Sequence, residues 1–205
     1  MSVIAMHAQL GNGKDEIANY LATLMSPDWQ RGAFANAVKD TFCNAFNVDR
    51  AFIEKWKRNP EPPPGFKVNV RKGLQNIGDG FREIVDDVWI QIALRDESKN
   101  QILSDGRYIN EAKTVFEKGG VNVLVYRPGF INDDPNKSES QIRPIVEWFK
   151  DNHSEGEITA PCGSGAPYGC QYYHYFFIND GDIDRLQWKV KYQLATYLKG
   201  FLADD

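Results

Sequence analysis

Residues 6–21 read MHAQLGNGKDEIANYL, and four of them carry chemistry: Gly11, Gly13, Lys14 and Asp15. A loop that holds phosphate lets successive backbone N–H groups and a helix start converge on the anion, while a lysine adds a point charge. Gly11 and Gly13 supply the flexible positions nearest the helix, and Lys14 stands where that charge is needed. Ala8 replaces a leading glycine with the smallest side chain available. Asp15 stands where Ser or Thr ordinarily offers magnesium a hydroxyl. A carboxylate holds the metal directly or through water, and it also repels phosphate. The loop residues expected around a nucleotide are therefore Ala8, Gly11, Asn12, Gly13, Lys14, Asp15 and Glu16. The plainer reading is a glycine turn, because short glycine-lysine motifs recur by chance.

The elements around the loop fit the first reading. SVIAMHA is a β-prone apolar run, and KDEIANYLATLM repeats Ile17, Leu21 and Leu24 at helical spacing, which gives strand, loop, helix. GAFANAVKDTFCNAF reads as a short strand or turn near Phe34, then a helix burying Val38, Phe42 and Phe46. Four prolines, Pro60, Pro62, Pro63 and Pro64, make the following stretch extended and semi-rigid. From Val70 a long helix, broken near Asp86, carries one apolar stripe: Leu74, Ile77, Phe81, Ile84, Val85 and Val88. Arg71, Gln75, Gly78, Asp79 and Arg82 form a separate stripe, in which the glycine marks a close approach to the backbone.

NQILSDGR reads as a buried strand ending in Asp105 and Arg107, NEAKTVFEKGG as a helix closed by glycines, and VNVLVYRPG as another apolar strand. Residues 129–170 are polar and glycine-rich with one apolar island, IVEWF, and read as a mobile excursion. YYHYFFINDGD supplies a last strand. The final helix turns Ile183, Leu186, Val190, Leu194 and Leu198 inward. Alternating strands and helices imply an α/β fold with a parallel sheet covered on both faces, here as one domain over 1–205 without repeats.

Composition narrows the function classes. A net charge of -4 argues against a protein that coats nucleic acid, since phosphate neutralisation needs surplus Lys and Arg. Three cysteines, no signal peptide and no membrane-length apolar run suggest a reduced, intracellular, cytoplasmic chain with no membrane partner. Cys162 and Cys170, with His153 and His174, match no common zinc spacing, so CGSGAPYGC reads as a glycine-rich loop.

Five pieces in order, GNGKD, FANAVKD, RKGLQNIGDGFREIVDDVWIQIAL, ILSDGRYINEA and VNVLVYRPG, resemble the bacteriophage deoxynucleoside monophosphate kinase family. The likeness resumes at INDGDIDRL, and that family also has Asp after the loop lysine. Matching positions are Phe34, Ala35 and Lys39; Leu74, Gln75, Gly78 and Trp89; and Asp105, Arg107, Asn110 and Glu111. The chain departs from the pattern at Ala8, at Asn136 in the lid stretch DDPNKSES, and over EITAPCGSGAPYGCQYYHYF.

The resemblance implies a P-loop kinase fold that moves the γ-phosphoryl of ATP, with magnesium, to a deoxynucleotide. An acceptor region falls at about 48–95 and a lid with an insertion at about 129–172.

Phosphoryl transfer needs positioning and charge neutralisation more than covalent help. Lys14 is the expected bridge to the β- and γ-phosphates, and Asp15 and Asp105 the metal ligands. Arg82 and Arg107 join the catalytic set, Arg127 the nucleotide side, and Phe34, Lys39, Arg71, Gln75, Asp79 and Arg143 the acceptor side. Each also has a structural reading: a strand-end cap for Asp105, surface ion pairs for the arginines, helix-surface polarity for Gln75 and Asp79. His7 reads as a satisfied core histidine, and Trp56, Trp148, Tyr172, Tyr173 and Tyr175 as packing aromatics.

Two other functions stay open. One is a kinase for 5-hydroxymethyluracil in phage DNA, with the basic segment Lys55 to Lys72 on the strand and Trp56 and Phe66 stacking on an extruded base. The other is a nucleotide-binding module without catalysis. The partners on these readings are a deoxynucleotide, free or within DNA, and a second copy in a homodimer.

Overall fold

The computed structural model describes residues 2–96, 98–130, 137–158 and 162–203, with the side chains of 137–139 and 203 left aside. The chain divides into two compact units, residues 1–33 with 97–205, and residues 34–96.

The first unit holds the sheet. Its strands are β1 (Val3–His7), β2 (Trp29–Gly32), β3 (Asn100–Gly106), β4 (Val121–Tyr126), β5 (Gly156–Glu157) and β6 (Tyr175–Ile178), in spatial order β2-β3-β1-β4-β6-β5. All pairs are parallel except β5 against β6. β1 is buried along its whole length, as a central parallel strand must be. Successive side chains serve opposite faces. Val123, Val125 and Phe177 pack with α1 (Lys14–Leu24) and the C-terminal helix, while Leu124 and Phe176 pack with α6 (Ile109–Glu117) and α7 (Lys137–Asn152). The α/β fold with both sheet faces covered is thereby present.

Several expectations are corrected. The stretch 129–170, expected as a mobile excursion, carries α7 over Lys137–Asn152; residues 131–136, Asn136 among them, and 159–161 lie outside the described residues. The IVEWF island lies on α7, with Ile145, Val146 and Phe149 buried and Glu147 exposed. Cys162 and Cys170 are not reduced but joined in a disulfide, their Cα atoms 6.3 Å apart, while Cys43 is free. The C-terminal helix is α8 (Ile183–Lys189), a π turn over Val190–Leu194 and α9 (Ala195–Ala203). Leu186, Val190, Leu194 and Leu198 are spaced by four, wider than the 3.6 residues of an α-turn, and the wider π turn keeps all four buried. Ile183, one turn earlier, is 51% exposed rather than inward. No helix among the described residues is long and apolar enough to cross a membrane.

The second unit is helical: α2 (Ala35–Phe46), α3 (Arg50–Trp56), α4 (Val70–Ile84) and α5 (Val88–Ala93). Phe42, Ile53 and Val70 are its buried cluster, with Phe52, Trp56 and Phe66 packed around them. Helix α3, capped by Asp49 on the Phe52 N–H, precedes the prolines, where the sequence suggested only an extended segment. The helix from Val70 breaks as expected, at extended Val85. Its apolar stripe does not stay buried, because Phe81 and Ile84 are exposed, and Phe46 of α2 is exposed too. The acceptor region expected at about 48–95 lies within this unit.

Candidate phosphate-binding site

β1 delivers the chain into the loop at Ala8, which is fully buried and donates its N–H to the Gly106 carbonyl at 3.3 Å. An alanine therefore fits where the motif has glycine, since its methyl belongs to the core. Gly11 and Gly13 take left-handed φ angles of 85° and 88°, conformations that side chains resist. A Cβ at Gly11 would overlap the Phe130 ring at 2.2 Å, and one at Gly13 would meet Asn179 Nδ2 at 2.5 Å.

Asn12 locks the turn. Only 3% exposed, it donates from Nδ2 to the Gln9 carbonyl at 3.2 Å and accepts at Oδ1 from the Arg127 N–H at 2.7 Å. Asn179 at the end of β6 donates to the Asn12 carbonyl at 3.1 Å. Asp180 then accepts two bonds from Arg185, which hold its carboxyl well below the usual range, and Lys189 ties Asp180 to Glu155. The ends of β4 and β6 thus hold the loop from two sides.

Gly13 is the N-cap of α1 and no side chain caps the helix, so its leading N–H groups can serve an anion. Lys14, the first helical residue, is buried, whereas Glu16 is exposed. Asp15 is engaged: its Oδ1 accepts from Arg31 Nη2 at 2.7 Å and from Ser104 Oγ at 3.0 Å.

Beneath the loop, His7 Nε2 lies 2.8 Å from Asn122 Oδ1. Asn122 spends its amide hydrogens on the Ala112 and Tyr172 carbonyls, so its Oδ1 accepts and His7 Nε2 carries the proton. Nδ1 has no described partner, which leaves His7 half satisfied rather than fully. Burial pulls its imidazole down to about 4, opposed by the Asn122 bond and helped by the Lys14 charge.

At the end of β3, Asp105 and Arg107 are half-buried. Glu111, itself buried, accepts from the Arg107 and Tyr108 N–H groups at 2.8 and 3.0 Å, and so shapes the turn into α6 that presents Arg107. Arg127 follows β4 with its side chain exposed, and Arg143 sits half-buried on α7.

The remaining candidates lie in the second unit. Arg71, Gln75, Asp79 and Arg82 are half-buried on one side of α4, with Arg82 3.6 Å from Asp79. The close approach signalled by Gly78 is real: Trp89 Nε1 donates to its carbonyl at 2.9 Å, and a Cβ there would lie 3.3 Å from Arg82 Nη1. Phe34 is buried and Lys39 pairs with Glu54 at 3.8 Å. Tyr173 and Tyr175 are buried packing residues, as expected.

Arg31, Ser104, Asn122 and Asn179 were missed by the sequence reading. Only Asn179 had a local signal, the INDGD motif; the others acquire partners through strand pairing. Among the described residues no group of three His, Cys, Asp or Glu could hold a metal; the expected ligands Asp15 and Asp105 are single carboxylates, and the Ser104 hydroxyl is already engaged by Asp15 and Arg31. The two carboxylates fit magnesium, which keeps waters and uses one or two carboxylates besides substrate phosphates.

A left-handed glycine pair, an uncapped helix start and a buried lysine thus follow the central parallel strand β1 of an α/β unit. No family model matches the chain. A protein of Acanthamoeba polyphaga mimivirus named "Putative deoxynucleotide monophosphate kinase" is 26% identical over 167 residues, 72% of this chain and 86% of that one. Among solved structures, shikimate kinase from Acinetobacter baumannii is 15% identical over 98% of this chain and 94% of its own, at a TM-score of 0.46. Dephospho-CoA kinase from Campylobacter jejuni is 10% identical over 99% and 98%, at 0.45.

Proposed function

We propose that the protein is a nucleotide kinase that transfers the γ-phosphoryl of ATP to a deoxynucleoside monophosphate. The observation that carries this reading is the uncapped start of α1 behind Gly11 and Gly13, with Lys14 as its first residue. The 26% identical mimivirus protein supports the choice of a nucleotide as acceptor.

On this reading the α1 N–H groups bind the phosphates and Lys14 neutralises the β- and γ-oxygens as charge builds on them. Asp15, with Asp105, would hold magnesium, which when bound would supply further charge neutralisation. Arg107 and Arg82 stabilise the transferring group by bidentate contacts, and Arg127 serves the nucleotide. Phe34, Lys39, Arg71, Gln75, Asp79 and Arg143 bind and orient the acceptor. A free monophosphate is favoured over a DNA base because Trp56 and Phe66, the rings a flipped base would need, are engaged within their own cluster; Phe66 is stacked on Phe42 with centroids 6.0 Å apart.

The test is phosphate transfer from γ-labelled ATP with magnesium. The acceptors offered in parallel are the deoxynucleoside monophosphates, 5-hydroxymethyl-dUMP, ordinary duplex DNA and duplex DNA containing 5-hydroxymethyluracil. Label on a free monophosphate is expected, with Lys14→Ala slowing transfer by at least about a thousandfold. Label on the modified DNA alone would make the protein a DNA-base kinase. ATP binding without label anywhere would leave a non-catalytic binding module.

A further inference from the structure

A carboxylate immediately after Lys14 lies in the first turn of α1, where the proposed site also receives phosphate oxygens, and like charges so close repel. The protein carries a compensating group. Arg31 of β2 donates from Nη2 to Asp15 Oδ1 at 2.7 Å and to Ser104 Oγ at 3.1 Å. Ser104 of β3 donates to the same Asp15 oxygen at 3.0 Å. Ser104 is 1% exposed on a strand paired to both neighbours, so its hydroxyl is a rigid reference point. The triangle joins three elements and saturates one carboxylate oxygen; Oδ2 accepts no hydrogen bond from a described residue.

We propose that Arg31, held by Ser104, is a positioning residue that acts as the built-in counter-cation of Asp15. It cancels the carboxylate's charge toward the nucleotide phosphates and leaves Oδ2 as the oxygen offered to the metal. This rests on the nucleotide site proposed above. The plain alternative is an exposed ion pair that only steadies β2, since such pairs contribute little more than that.

The two differ in how nucleotide binding depends on magnesium. Metal-free ATP carries more negative charge than its magnesium complex, so an unmasked Asp15 hurts it more. Binding of a fluorescent ATP analogue to the full-length protein, measured with EDTA and with magnesium, yields the ratio of the dissociation constant in EDTA to that in magnesium. In Arg31→Met that ratio is expected to rise about tenfold, the size of one charge interaction at a partly exposed site. Arg31→Lys should recover most of the change, and Ser104→Ala should shift the ratio the same way by about threefold. The double variant Asp15→Asn/Arg31→Met should return to the wild-type ratio or below it, because the charge to be masked is gone.

The inference is overturned if Arg31→Met leaves the ratio unchanged while the wild type binds. It is also overturned if the ratio stays raised in the double variant, which would put Arg31 directly on the nucleotide. Wild-type protein that binds nucleotide in neither condition would instead overturn the phosphate site itself. Thermal unfolding of each variant separates these outcomes from loss of fold.

Discussion

The two units bury their apolar residues differently. In the sheet unit, β4 sends Val123 and Val125 to one face and Leu124 to the other, and every one is fully buried. In the helical unit, Phe42 is covered while Phe46, one turn on, is 49% exposed, and Ile84 at the end of α4 is 79% exposed. A central strand covered on both faces has no outside, so each apolar residue in it is committed to the core. A helix is covered only along the part of its stripe that meets another element. The buried polar residues divide the same way: His7, Asn12, Lys14, Ser104, Glu111, Asn122, Asn179 and Lys189 all belong to the sheet unit. Apolar periodicity is therefore a reliable guide to burial only where the layering leaves no free face, and the polar groups that such layers enclose are where chemistry can be held rigidly.

Substitutions across the two units sharpen or break this contrast. Phe176→Ala opens a cavity between β6, α6 and α7 and should cost about 3–5 kcal/mol in urea unfolding. A loss below 1 kcal/mol would mean the sheet core is looser than its burial implies.

The pH response comes next in size. The unfolded His7 takes a proton at the ordinary value of 6.5, whereas the buried imidazole resists until about 4. Between those values the unfolded chain binds more protons, so stability should fall as pH drops from about 6.5 towards 4, by at most about 3 kcal/mol. His174, lowered by its own burial, adds in the same direction. His7→Gln should flatten the profile of unfolding free energy against pH; an unchanged slope would show that the titration belongs elsewhere.

Within the helical unit, Trp89→Phe leaves the Gly78 carbonyl without its indole donor and should cost about 1–2 kcal/mol. Smallest of all, Ile84→Ser should change unfolding by less than about 0.5 kcal/mol, because the side chain is mostly in water already. A larger loss there would contradict the assignment of that stripe end as uncovered.

Much of the frame was legible in the chain. SVIAMHA, the glycines and the amphipathic run after Lys14 specify strand, loop and helix through local rules: a short continuous apolar run, glycine's freedom at φ > 0 and helical period. The parallel α/β layering and the break near Asp86 were legible for the same reason. The misreadings have physical causes as well. IVEWF reads as an island because polar flanks obscure a 16-residue helix with Pro144 inside it. The cysteine pair looked reduced because no spacing rule announces a bond across eight residues.

What the sequence by itself determined is the set of groups available at the loop: two glycines, a lysine and a carboxylate within residues 11–15. What only the tertiary structure decided is which groups complete them. Arg31 and Ser104 reach Asp15 from 16 and 89 residues away, and Arg127 and Asn179 reach Asn12 from 115 and 167. Those distances close through the register of parallel strands, which depends on the whole packed sheet and not on any stretch short enough to read alone.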